Sequence, residues 1–159
     1  MRTSKLHVVL AAVAAVGIGC PGPDDTTAPV TEWEAVLSSA DVIPALTTPT
    51  SATATAAFAL ASGTTVNWTV TIGTAPASAI TNIVLAQANA GATITATATQ
   101  ISLATSCTSP CTGSVTLTEA QLNTLRGFGF NLTIRTTTPP YNGTQGEIRG
   151  QVRIVPPGS

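Results

Sequence analysis

The sequence predicts an all-β protein, an antiparallel β-sandwich or Greek-key barrel of about eight strands with one short helix. Three observations lead to this fold class. Threonine, valine and isoleucine are abundant, and these residues favour strands. Apolar and polar residues alternate over several separate segments, which is typical of strands with one buried face. Turn-forming glycine, proline and asparagine residues separate these segments at regular intervals.

Residues 1–19 have the features of a signal peptide. Arg2 and Lys5 precede the apolar run 6–18, which is too short to span a bilayer as a stable helix. A basic start followed by a short apolar run predicts that the chain is exported.

Cys20 is the expected site of lipidation. A small residue, Gly19, precedes it, which resembles a bacterial lipobox, although Gly17 stands where leucine is usual. Residues 20–30 are rich in proline and form a predicted lipid-anchored linker. Because Pro21 rather than aspartate follows the cysteine, resemblance to Gram-negative lipoproteins favours the outer membrane or cell surface. The alternative is an ordinary signal peptide, a chance cysteine and a freely secreted protein.

Residues 31–155 form the predicted β domain, and 156–159 are a short tail. Strands are predicted in its first half at 33–37, 53–60, 65–72 and 80–88. The second and third of these are separated by a short turn and predict a hairpin. Residues 83–86 are all apolar, which predicts burial on both faces of that strand.

Residues 92–99 alternate alanine or isoleucine with threonine and predict a further strand, with a bulge at 100–101. Cys107 and Cys111 follow in a polar loop, where two cysteines in an exported protein predict a disulfide. The alternative is a redox pair, but that function usually requires a C-x-x-C spacing at a helix start.

The stretch 115–155 predicts a strand, a helix and two more strands. Thr118 and Gln121 have the spacing of a capping box, and Gly127 is expected to end the helix in a left-handed conformation. Residues 130–135 and 147–154 then alternate as strands around a loop.

If that loop is centred on Tyr141, Arg135 faces Glu147 across a hairpin as a solvated pair. The predicted core consists of the apolar face of each segment: Trp33, Phe58, Val66, Trp68, Val70, Ile72, Ile83, Leu85, Leu122, Leu125, Phe130, Leu132, Ile134, Ile148, Val152 and Ile154.

The segments 118–127, 130–136 and 146–152 read T-E-A-Q-L-N-T-L-R-G, F-N-L-T-I-R-T and G-E-I-R-G-Q-V. Together they resemble the C-terminal half of a CHRD domain, the module repeated in chordin and common in bacterial secreted proteins. Residues 33–45 resemble the opening strand and turn of that family. The resemblance implies a β domain but names no biochemical activity.

Two departures from the family pattern concern histidine. The family usually has an A-H-I-H-like motif where this chain has 83–86, and N-V-H-T within the segment that corresponds to 131–136. Neither segment contains histidine here, so no metal role of those histidines is carried over.

The residues beyond the signal limit the available chemistry. They contain no histidine and no lysine, which excludes serine–histidine–aspartate and serine–lysine catalysis, imidazole metal sites and lysine Schiff bases. We therefore predict no catalytic residues, no metal and no cofactor. From Cys20 onward, four arginines and seven acidic residues give a net charge of −3, which argues against nucleic-acid binding.

The sequence thus predicts a non-enzymatic envelope lipoprotein, held on the membrane by its lipid, that binds an extracellular protein or glycan. The candidate binding loop contains Pro139, Pro140, Tyr141 and Asn142, with Tyr141 as a contact aromatic at the tip. The alternative for Tyr141 is that it packs down on the sheet. Alternative functions are a structural envelope component without a specific ligand, and a degenerate metal-binding barrel or enzyme. The sequence makes no prediction about oligomeric state.

Overall fold

The computed structural model describes residues 31–156. The predicted signal peptide, the lipidation site Cys20 and the linker 20–30 lie outside the described residues, as do the last three residues of the tail. No helix in the described part of the chain is long and apolar enough to cross a membrane.

The described chain forms one antiparallel sheet and one α-helix. The elements are β1 (Glu32–Ser38), β2 (Thr53–Ser62), β3 (Thr65–Thr74), β4 (Ile80–Gln87), β5 (Gln100–Ala104), β6 (Cys111–Thr116), α1 (Glu119–Arg126), β7 (Phe130–Thr136), β8 (Ile148–Gln151) and β9 (Arg153–Ile154). A short 3-10 turn, Ser39–Asp41, follows β1.

The strands are ordered β5-β4-β7-β8-β1-β2-β3-β6, and β9 continues the pairing with β1. The two end strands, β5 and β6, also contact each other, so the sheet curls into a nearly closed barrel. The predicted all-β class, with about eight strands and one short helix, is confirmed.

The barrel interior holds the apolar core. Trp33, Phe130, Leu132 and Ile134 are fully buried there, and Leu122 and Leu125 of α1 close one part of it. The predicted core is confirmed, except that Ile72 and Ile154 are only partly buried and pack against its margin. The alternation of apolar and polar residues identifies the core correctly because successive side chains of a strand point to opposite faces of the sheet.

The predicted hairpin is the β2–β3 pair, in which Phe58 lies opposite Trp68 and Ala56 opposite Val70. The predicted disulfide between Cys107 and Cys111 is present, with Cα atoms 5.4 Å apart. It lies in the connection that leads from β5 to β6, the two strands that meet where the barrel is nearly closed.

Helix α1 begins as predicted and ends differently. Thr118 accepts a hydrogen bond from the Gln121 amide, and the Gln121 side chain accepts from the Thr118 amide, which completes the capping box. Gly127 has φ −89°, so the prediction that it is the left-handed residue is wrong. Phe128 takes that conformation instead, with φ 59°. Gly129 follows with its Cα so close to Thr124 that an added Cβ would lie 2.5 Å from the threonine methyl.

The strand predicted at 92–99 is absent. Residues 88–99, hereafter the cover segment, are irregular and connect β4 to β5 across the outer face of the sheet. Both sides of β4 are already paired, with β5 and with β7, so no strand position beside β4 is open. Of the predicted alternation between buried and exposed residues, one part is found: Ile94 is buried, and the neighbouring Thr93 and Thr95 are exposed.

Candidate binding site on the outer face of the sheet

The predicted binding loop lies between β7 and β8. Pro139, Pro140 and Asn142 are exposed, whereas Tyr141 is only 6% exposed. The Tyr141 hydroxyl donates to the Thr48 carbonyl at 2.6 Å. The prediction of a contact aromatic at the tip is therefore wrong, and the alternative in which the ring packs down is found. A buried tyrosine that has a hydrogen-bond acceptor loses little by leaving water.

The loop is centred where the sequence predicted, since Ile134 pairs with Ile148, which places position 141 midway. The predicted solvated pair does not form. Glu147 is fully buried and accepts from Thr136 Oγ1 at 2.9 Å and from the Ala77 amide at 2.8 Å. Arg135 donates to the Thr144 carbonyl and to Gln100. Ala77 of the β3–β4 connection and Thr136 of β7 therefore hold Glu147, whereas Arg135 is held by Gln100 of β5 and by Thr144 of its own loop.

The outer face of β7 and β8 carries a group of polar side chains, hereafter the polar layer: Asn131, Thr133, Arg135, Arg149 and Gln151. Thr133 lies opposite Arg149 and Asn131 lies opposite Gln151. Alternation predicts that these residues point away from the core, and they do. Asn131, Thr133 and Arg149 are nevertheless no more than 2% exposed.

The cover segment buries part of this layer. Ile94 packs on Val84 and Ala86 in a small apolar cluster outside the barrel. Two side-chain bonds hold the segment down: Asn131 Nδ2 donates to the Ala88 carbonyl and Gln145 Nε2 donates to the Ile94 carbonyl, both at 2.7 Å.

Arg149 is the least satisfied member of the polar layer. Its Nε donates to Asn131 Oδ1 at 3.0 Å. Its Nη1 and Nη2 are buried and have no hydrogen-bond partner among residues 31–156. Burial lowers the pKa of this guanidinium, and nearby Asp41 opposes that shift. Burial likewise lowers the pKa of Arg135.

Further unpartnered atoms lie in or beside the same layer: Thr133 Oγ1, Arg135 Nε, Gln145 Oε1 and Gln151 Oε1. Within the described chain, the two other side chains with such atoms are the tryptophans of the core, Trp33 and Trp68. Native proteins leave few buried polar atoms unpaired, so their concentration on one face marks a place where something else supplies hydrogen bonds.

A cavity of about 380 Å³ borders the polar layer, at the junction of β1 with β8 and β9. Asn131 and Gln151 belong to both the layer and the cavity wall. Glu34, Asp41 and Arg153 contribute charges of both signs. Its remaining lining is apolar or backbone: Ala35, Val36, Ala40, Ile43, Ala90 and Gly91.

A larger cavity of about 540 Å³ lies along β1, β2 and β3. Its surface includes the exposed small residues Ala57 and Ala59 and the neighbouring carboxylates Glu32 and Glu34. These four side chains face solvent.

The two cysteines of the described chain are joined in a disulfide, so neither is a free thiol. Within residues 31–156, no group of three or more histidine, cysteine, aspartate or glutamate residues is placed to hold a metal ion.

The sequence analysis did not identify Arg149 as a site residue, because a side chain that points away from the core was expected to be exposed. The available signal was its position in the closing G-E-I-R-G-Q motif, at 146–151.

The family model for the CHRD domain matches residues 33–152, which is most of the chain. No curated protein and no solved structure gives a significant match. The chain therefore belongs to the CHRD domain family, as the resemblance of its closing segments implied.

Proposed function

We propose that this CHRD-domain protein is a non-enzymatic lipoprotein of the cell envelope that binds an extracellular protein or glycan. The lipid on Cys20 anchors the chain to the outer membrane or cell surface. The linker 20–30 separates the β domain from the bilayer.

The observation that carries the binding role is the fixed loop between β7 and β8. Tyr141 holds it through its hydroxyl bond to Thr48, and its backbone bonds to Thr136 and Thr138 add two further points of attachment. Pro139, Pro140 and Asn142, beside this attached tyrosine, are exposed to solvent. A loop that is already ordered loses less entropy when it binds, so its contacts contribute more to affinity.

The available side chains support a role without catalysis. No histidine or lysine occurs beyond residue 7, so no imidazole or amine can activate a nucleophile in the mature chain. Both carboxylate oxygens of Glu147 are engaged in hydrogen bonds.

Binding is tested with the purified full-length mature chain and two immobilised fractions from the source cells, cell-wall glycan and surface protein. Replacing Pro139, Pro140 and Asn142 together by alanine should weaken retention on one fraction by about tenfold, because exposed contact area is lost while Tyr141 remains. The matched control is Thr105→Ala with Thr108→Ala, two exposed positions in the disulfide loop. Equal retention of both variants contradicts the assignment of the loop. Absence of retention even for the wild-type chain favours a structural component without a ligand.

Anchoring is tested by the intact mass of the protein from its native membrane fraction. We expect residues 20–159 plus diacylglycerol and acyl groups, less two hydrogens for the Cys107–Cys111 bond. An unlipidated mature mass in the soluble fraction contradicts the anchor and identifies a freely secreted protein.

A further inference from the structure

We infer that the polar layer and the adjoining cavity bind a small zwitterion, a ligand that carries one carboxylate and one ammonium group as amino acids do. This inference goes beyond the proposed function, because it adds a small-molecule site to a domain whose loop is proposed to bind a protein or glycan. It concerns the outer face of β7 and β8, which is distinct from the loop at Pro139–Asn142.

The carboxylate is assigned to Arg149. Its Nη1 and Nη2 are buried without partners, while Nε is occupied by Asn131. The free nitrogens of a guanidinium form a planar fork that matches the two oxygens of a carboxylate. Thr133 lies directly opposite on β7, and its unpartnered hydroxyl can donate to the same group.

The ammonium group is assigned to the cavity wall. Asp41 and Glu34 line the cavity, and the buried Oε1 of Gln151 is an acceptor that lacks a partner. The carboxylates of Asp41 and Glu34 repel a ligand that carries only negative charge. The guanidinium groups of Arg149 and Arg153 repel a ligand that carries only positive charge. A ligand with both charges meets an opposite charge at each end.

The cavity has room for a small ligand, whereas Arg149 and Thr133 are buried beside it and do not line it. A volume of about 380 Å³ accommodates a small molecule, and Ala90 and Gly91 of the cover segment form part of the wall. The apolar lining at Val36 and Ile43 suits a short aliphatic side chain. Binding of the carboxylate therefore requires the cavity wall, which includes Ala90 and Gly91 of the cover segment, to shift outward. That segment has no strand structure of its own.

The test is a titration of the full-length mature chain, followed through the ¹H–¹⁵N resonance of Arg149 Nε. The probes are L-valine, 3-methylbutanoate, which lacks the amine, and 2-methylpropan-1-amine, which lacks the carboxylate. L-valine should shift the resonance saturably, and each singly charged analogue should bind at least about tenfold more weakly, because one charge-assisted contact is lost.

The Asp41→Asn variant separates the two ends of the ligand. It should bind L-valine about tenfold more weakly while its affinity for 3-methylbutanoate is unchanged or higher. Asp41 is exposed, so the variant is expected to fold. The matched control is Glu119→Gln, an exposed carboxylate in α1 outside the cavity lining, which should leave all affinities unchanged.

Two results overturn the inference. One is an unshifted Arg149 resonance with all three probes at about 10 mM, which assigns the unpartnered nitrogens to buried water. The other is equal affinity for all three probes in wild type and Asp41→Asn. If the alanine-substituted loop variant still loses envelope binding in either case, only the zwitterion site fails and the proposed function stands.

Discussion

The two faces of β7 are both buried, yet they are buried in different ways. On the inner face Phe130, Leu132 and Ile134 are fully enclosed by apolar neighbours in the barrel. On the outer face Asn131 and Thr133 lie in the polar layer, where several atoms lack partners in the described chain. The inner face is therefore closed by packing alone, whereas the outer face is closed by an irregular segment held through a few side-chain bonds.

The two faces of β7 therefore contribute to different properties of the domain, the inner face to its stability and the outer face to the proposed binding. Close apolar packing stabilises the barrel and tolerates little change of volume. Buried polar atoms without partners lower stability and persist where another molecule or water satisfies them. Substitutions in the outer layer are therefore expected to cost this domain less stability than substitutions in the inner core.

The strongest test of this contrast compares neighbouring residues of β7. Leu132→Ala should lower the free energy of unfolding by about 2–5 kcal/mol, because it leaves a cavity among fully buried neighbours. Thr133→Val keeps the volume and removes a buried hydroxyl that has no partner, so stability should stay equal or rise by about 1 kcal/mol. Urea unfolding of both variants measures the difference. Similar losses in the two variants are inconsistent with the contrast.

The second test uses two glycines. An added Cβ at Gly150 would overlap the Val36 carbonyl oxygen, where β8 crosses β1. Gly150→Ala should therefore push the strands apart and destabilise the domain by about 1–3 kcal/mol or more. At Gly143 the nearest atom to an added Cβ is 3.6 Å away, so Gly143→Ala should change the melting temperature little. An unchanged melting temperature for Gly150→Ala shows that β1 and β8 can separate without loss.

The third and smallest effect distinguishes two buried charges of the outer face. Glu147→Gln should lower the free energy of unfolding by about 1–2 kcal/mol, since one of its two acceptor positions becomes a donor facing an N–H or O–H. Arg149→Met should change it by less than about 1 kcal/mol, because the lost bond to Asn131 is offset by removing two unpaired nitrogens. Chemical denaturation at neutral pH provides both values. A larger loss for Arg149→Met than for Glu147→Gln reverses the expected order.

Much of the fold could be predicted because its signals are local. The hairpin of β2 and β3 follows from a short turn and from the unbroken alternation of residues 65–72 that follow it. The capping box of α1 follows from two residues three positions apart. The centre of the β7–β8 loop follows from its turn residues, and the disulfide from two cysteines close together in a chain that is predicted to be exported.

The site was only partly predictable, because burial of a polar residue depends on what crosses over it. Arg149 and Glu147 alternate with apolar residues as surface residues do, so alternation alone does not signal their burial. Tyr141 was correctly placed in the loop, but its burial depends on Thr48, which lies 93 residues away.

By itself, the sequence determined which side of each strand faces the core, where the helix begins and which cysteines pair. These features depend on residue spacing and local hydrogen bonding, which the chain carries with it. Tertiary structure alone decided that residues 88–99 cover the sheet rather than join it, because both edges of β4 are taken by other strands. That choice of neighbours brings Ala88 onto Asn131 and places Ala90 and Gly91 in the wall of the candidate site, since the segment that closes over the outer face comes from elsewhere in the chain.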